Sequence, residues 1–207
     1  MGRALSVRPM GDRAQLLELE GNAAVHEAAA ALRAGFGKTL VEVVPADRTV
    51  LLVWASPPPT ADAIQAALSA SRSTGDGVCE MVQIDVIYDG TDLEAVADRL
   101  GVDRDDVIRL HCGPEYRVAF VGFAPGFPYL VGLPHELVLP RLATPRTRVP
   151  AGSVAVAAGY CGIYPRASPG GWNLLGRTGA VMFDAERNPP ALLAPGMRVR
   201  FRAATGV

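Results

Sequence analysis

Residues 116–129 read Tyr-Arg-Val-Ala-Phe-Val-Gly-Phe-Ala-Pro-Gly-Phe-Pro-Tyr. An apolar strand, expected over Tyr116–Phe123 and interrupted only by Arg117 and Gly122, runs straight into a cluster of Gly, Pro and Phe. The rest of the C-terminal half repeats this theme. Short strands are expected at Ser153–Ala157 and Ala180–Phe183. Met197–Arg202 alternates cleanly, with Met197, Val199 and Phe201 inward and Arg198, Arg200 and Arg202 outward. Long loops dense in Gly and Pro lie between them. Short strands, Gly/Pro turns and no helical period indicate a β-barrel or sandwich.

Upstream the pattern differs. Strands are expected at Leu5–Arg8, Gln15–Glu18, Thr39–Val44 and Val50–Trp54. Asn22–Arg33 is alanine-rich and helical, with Gly35 as its stop. A second helix is expected over Thr60–Ala70, capped by Thr60. Two strands, a helix, two strands and a helix make a small α/β layer. The polar stretch Ser71–Gly77 is the expected boundary. Met81–Tyr88 then reads as a strand. Thr91 and Glu94 suggest a capping box for a helix ending at Gly101, and Asp103 opens another through Leu110. The expected class is α+β, with a small α/β domain over residues 1–77 and a β-barrel domain over 78–207.

The chain has 207 residues and a net charge of −1, which hides an asymmetry. Residues 1–116 carry ten basic and eighteen acidic side chains, a balance of −8. Residues 117–207 carry ten arginines against Glu136, Asp184 and Glu186, a balance of +7. Such a field attracts carboxylates and phosphates, or an acidic protein surface, including this chain's own N-terminal half. Nucleic acid is not expected as a partner, because Asp92–Arg109 sets six acids against three arginines. No long apolar run suggests a membrane span, and the N-terminus has no signal-peptide block, so a cytoplasmic location is expected. Cys79, Cys112 and Cys161 lie far apart without zinc-type spacing, and no metal site is expected.

No GxxxxGK[ST] or GxSxG segment occurs, and His26-Glu27 and His135-Glu136 lack the second histidine of a metalloprotease motif. The candidate chemistry therefore sits in the rigid loops. Arg141, Arg146, Arg166 and Arg177 are arginines that proline and glycine hold in place. Of these, Arg146 and Arg177 are the candidates for stabilising developing charge, with His111 as either a general base or a helix C-terminal cap. The backbone of Ser168–Gly171 is a candidate anion nest. Arg166, Ser168, Gly170, Gly171, Trp172, Tyr164 and Phe127 are the expected substrate-binding set, with Phe123 beside them as a further aromatic wall.

The segments GFAPGFPYL (122–130), PRLATPRTRVPAGSVAVA (140–157), GIYPRASPGGWNLLGRT (162–178) and PPALLAPGMRVRF (189–201) resemble the carboxyltransferase C/D family. That family includes the allophanate hydrolase subunit 1 proteins, mostly read as the B component of 5-oxoprolinase, and the kinase inhibitor KipI. The resemblance implies a cyclophilin-like barrel. It also implies a hetero-oligomer with two further proteins, a homologous C component and an A component. In the family that assembly opens 5-oxo-L-proline to glutamate using ATP with Mg. No tightly bound cofactor is expected in this chain, which is expected to be inactive alone. The family leaves two alternatives. One is KipI-like inhibition of a sensor histidine kinase. The other is a role related to allophanate hydrolase or urea carboxylase, for which this chain has no Ala-Met-Lys-Met biotinylation segment.

Overall fold

A computed structural model of the chain describes residues 6–70 and 81–205. It divides into two compact units, residues 1–78 and 79–207. The expected boundary at Ser71–Gly77 and the expected thiol at Cys79 lie outside the described residues.

In the first unit, β1 (Ser6–Pro9), β2 (Ala14–Glu18), β3 (Leu40–Pro45) and β4 (Thr49–Trp54) form an antiparallel sheet of order β1-β2-β4-β3. Helices α1 (Asn22–Phe36) and α2 (Ala61–Ala70) complete it. Leu17, Val25, Leu32, Val50, Leu52, Trp54 and Ile64 form its core. The Thr60 hydroxyl accepts from the Ala63 amide at 3.3 Å and caps α2 as expected. Gly35 does not stop α1. It lies inside the helix, where a Cβ would come within 3.3 Å of Ala67 on α2, and the stop is Gly37, with φ +50°.

The second unit is a barrel. Its strands are β5 (Met81–Val86), β6 (Tyr116–Val121), β7 (Pro128–Val131), β9 (Ser153–Ala157), β10 (Tyr160–Ile163), β12 (Asn173–Arg177) and β13 (Arg198–Ala203). They stand in the order β12-β9-β10-β7-β6-β13-β5, every pair antiparallel except β13 with β5. A short ribbon of β8 (Arg146–Val149) and β11 (Ser168–Gly170) flanks it. The sheet's two ends meet just past β5. Ile87 and Arg177 exchange both backbone hydrogen bonds at 2.8 Å, and the Gly90 and Asp92 amides donate to Leu175 and Leu174 at 3.1 Å. This near-closure shortens the exposed edges that an open sheet would present.

Helices α3 (Leu93–Leu100) and α4 (Arg104–Cys112) turn Leu93, Val96, Ala97 and Val107 into the barrel core beside Val118, Leu130, Val154, Val156, Ile163 and Phe201. The other face of β9 and its neighbours is buried too. Ala155, Ala157 and Leu174 pack there under Phe127, Val149, Tyr164 and Trp172. This second core is the floor on which the Gly/Pro loops rest.

Three expectations for this unit are corrected. The apolar segment Ala180–Phe183 is not a strand but makes one bridge, Phe183 to Ala191, while Met182 is buried. Its chain is bent into a turn by Asp184–Pro190, whose Arg187 guanidinium gathers four carbonyls. The expected strand from Tyr116 ends at Val121, because the next residues turn sharply. Thr91 does not cap α3. Asp92 holds the cap position, and its carboxylate is directed elsewhere.

Candidate functional site

The loop after β6 is two tight turns in succession. The Ala124 amide donates to the Gly122 carbonyl at 2.7 Å across Phe123, whose φ is +66°. This is the strained left-handed γ-turn, rare for a bulky side chain. The Phe127 amide then donates to the Ala124 carbonyl at 3.0 Å, with Pro125 at the second position and Gly126, φ +78°, at the third. That is a type II turn, which requires such a glycine. Together the turns leave Phe123 63% exposed while Phe127 is buried.

Between this loop and the β11–β12 segment lies a cavity lined by Phe123, Phe127, Tyr129, Arg141, Tyr164 and Trp172, with the backbone of Pro169–Gly171. Phe127 meets Phe123, Tyr164 and Trp172 edge-on, with centroids 5.1–5.6 Å apart. Each such pair contributes about 0.5–1.5 kcal/mol beyond area burial. The walls are thus rigid. The cavity holds about 80 Å³, against roughly 300 Å³ or more for a drug-sized ligand. It suits a small ring and not a nucleotide.

The polar groups are few. Tyr164 is 2% exposed, yet its hydroxyl has no hydrogen-bond partner among the described residues. The half-buried Tyr129 hydroxyl is likewise unpaired among them. Burial holds both phenols above their ordinary range, partly opposed by the positive charge of Arg141 nearby. They are neutral donors at neutral pH. Arg141 itself is exposed and has no carboxylate partner among the described residues. Gly170 is fixed by close approach: a Cβ there would stand 2.3 Å from the Tyr164 hydroxyl.

Five of the expected binding residues therefore converge on one cavity: Phe127, Tyr164, Gly170, Gly171 and Trp172. Arg166 is exposed and does not line it. Ser168–Gly170 is a strand paired to β8, without the left-handed residue that an anion nest needs, and the Ser168 hydroxyl is buried without a partner. The two arginines expected to meet a substrate are engaged with carboxylates. Arg146 bonds Asp92 at 2.5 Å and the Trp172 carbonyl at 3.3 Å, while the other Asp92 oxygen takes the Leu174 amide at 2.7 Å. Arg177 pairs with Asp89 at 2.7 Å on the surface. Both pairs sit along the barrel seam.

His111 is sealed inside the barrel, fully buried in the last turn of α4. Tyr88 Oη lies 2.6 Å from its Nδ1 and Cys161 Sγ 3.2 Å from its Nε2. Burial lowers its pKa to about 3, and burial pushes the Cys161 thiol up. It is neutral, packed 4.5 Å from the Phe201 ring centroid, and away from the cavity. Arg141, one of the four loop arginines singled out in the sequence, and Tyr129 line the cavity outside the seven expected binding residues, as do Phe123 and Pro169. Nothing in the sequence separates Arg141 from Arg146, which Asp92 engages elsewhere.

The sequence model of the family described as carboxyltransferase domain, subdomain C and D, matches residues 5–193. The chain belongs to that family. The B subunit of 5-oxoprolinase from Escherichia coli O157:H7 is 49% identical to this carboxyltransferase C and D chain over 123 residues, 58% of the chain and 56% of the relative. The chain thus spans a little over half the length of that curated relative. Among solved structures, the protein TTHA0988 superposes with a TM-score of 0.80 at 40% identity, covering 94% of this chain and 40% of the other. The Kluyveromyces lactis urea carboxylase superposes with a TM-score of 0.71 at 22% identity, covering 97% of this chain and 22% of that one, which shows a shared fold.

Proposed function

We propose that this chain acts as the B component of an ATP-dependent 5-oxoprolinase, which opens 5-oxo-L-proline to L-glutamate together with a homologous C component and an A component. The observation that carries the reading is the 49% identity to a protein of that name within a family whose model matches most of the chain. The cavity supports it, because a rigid aromatic pocket of this size accommodates a single small ring. ATP with Mg is expected in the assembled complex, and the chain alone is expected to be inactive. No helix among the described residues is long and apolar enough to cross a membrane.

The alternative, a docking role of the kinase-inhibitor kind, would use exposed apolar side chains around Phe127 and Tyr129; Phe127 is buried and Tyr129 half-buried, while Phe123 in the same loop is 63% exposed. The test is glutamate release from 5-oxo-L-proline and ATP by the chain combined with its C and A components, and then with the chain left out. Turnover that requires the chain supports the reading. Equal turnover without it overturns it.

A further inference from the structure

We propose that the cavity under Phe123 is a receptor for a small ring-shaped monocarboxylate carrying a second hydrogen-bond acceptor, its carboxylate gripped by Arg141 and its other acceptor bonded by the Tyr164 hydroxyl. The inference rests on the oxoprolinase reading only for which acid of that class is the natural one.

Three independent features point there. The first is an open donor. The Tyr164 hydroxyl lines the cavity, bonds nothing among the described residues and is not one of the sealed, unsatisfied polar atoms, so it is the part of this otherwise buried residue that a ligand acceptor can reach. The second is the charge. Arg141 is the cavity's one ionic group, and no described acid neutralises it, whereas Arg146, Arg177, Arg198 and Arg202 are all paired. A guanidinium takes a carboxylate with two parallel hydrogen bonds. The third is shape. Aromatic walls and the backbone of Gly170–Gly171 leave about 80 Å³, enough for one flat ring and too little for a chain or a nucleotide.

Phe123 completes the rim. Its left-handed φ of +66° is strain of order 1–3 kcal/mol, held by the two turns and aimed at keeping an aromatic ring at the cavity mouth. Arg146 enters as a positioning residue. Its bond to the Trp172 carbonyl and its pairing with Asp92 fix the wall opposite Phe127 without contact to the ligand.

The test uses the full chain and three probes, followed by calorimetry and by the amide NMR signals of Gly170 and Gly171. The probes are 5-oxo-L-proline, cyclopentanecarboxylate, which lacks the second acceptor, and 2-pyrrolidinone, which lacks the carboxylate. The expected result is that 5-oxo-L-proline binds and shifts those amides, with each trimmed probe at least about tenfold weaker. Arg141→Gln should weaken both acids about tenfold or more and leave 2-pyrrolidinone unchanged. Tyr164→Phe, which keeps the ring and the fold, should weaken 5-oxo-L-proline and leave cyclopentanecarboxylate unchanged. Binding of none of the probes, or equal binding by the wild-type and Arg141→Gln chains, overturns the proposal. Failure of the oxoprolinase reading looks different: probes bind as expected, but the reconstituted complex turns over equally without this chain.

Discussion

At Gly170 a single carbon atom decides whether the cavity has a wall in the right place. A Cβ would lie 2.3 Å from the Tyr164 hydroxyl and 3.0 Å from its ring carbon. The phenol is boxed in by Phe127, so it has little room to yield. Gly170→Ala is therefore expected to destabilise the chain by about 1–3 kcal/mol, the usual cost of overpacking, and to displace Tyr164 from the cavity. Urea denaturation and the aromatic NMR signals of Tyr164 check this, and an unchanged spectrum would show the contact to be soft. His111 gives a prediction with a sign. Its ordinary pKa is near 6.5, and burial among Tyr88, Tyr116, Cys161 and Phe201 lowers it to about 3. Between those values the unfolded chain binds a proton that the folded chain refuses. Stability is thus fully present above about pH 6.5 and falls as pH drops through this window, by up to about 1.4 kcal/mol per pH unit. His111→Gln should be less stable at pH 7.5 and should show a flatter profile between pH 6.5 and 5.5. Parallel urea midpoints for the two proteins across that range would refute the buried neutral imidazole.

At the scale of elements, the barrel seam separates two ion pairs that look alike in the sequence. Asp92 is 13% exposed, joins Arg146 and also takes the Leu174 amide, so its loss strands a guanidinium and a backbone donor together. Asp92→Ala should cost about 1.5–3 kcal/mol, the range for hydrogen bonds to charged groups. Asp89 is 45% exposed against an Arg177 at 61%, and Asp89→Ala should cost about 0–1 kcal/mol, as surface pairs do. Equal losses in urea denaturation would mean that the seam does not depend on Asp92. The same seam shows what could and could not be read in advance. Met81–Tyr88 and Met197–Arg202 were legible because one face is buried and the other wet, which writes a period of two into the residues. Strands β7, β8, β10, β11 and β12 fell inside segments that read as loops, because Pro128, Gly162, Pro169 and Gly176 interrupt them and their length is 3–5 residues. Strand pairing across the nearly closed barrel, and not local propensity, makes them strands. The aromatic and glycine members of the cavity were legible from their loops. Its arginine was one of four candidates, but which of them stays free to line the cavity was not legible, since that depends on where Asp92 arrives in space to engage Arg146.

At the scale of the molecule, the two units have separate cores. The first is built on Leu17, Leu32, Leu52, Trp54 and Ile64, all from residues 6–70. The second draws Ile84, Tyr116, Leu130, Val156, Ile163 and Phe201 from the rest, with the floor of Phe127, Tyr164 and Trp172 beside it. Neither cluster borrows a residue from the other. The barrel nearly closes on itself, its two end strands meeting through the Ile87–Arg177 bridge just past β5. A stretch of this length with its own core has what independent folding requires. Residues 79–207 expressed alone are therefore expected to fold, and their amide NMR spectrum should overlay on the corresponding signals of the full chain. Since every cavity residue lies between Phe123 and Trp172, the fragment should also bind 5-oxo-L-proline within about threefold of the full chain, a difference below about 1 kcal/mol. A fragment that folds but has lost binding would place part of the receptor in residues 1–78. A fragment that does not fold would show that the barrel needs the first unit to stand.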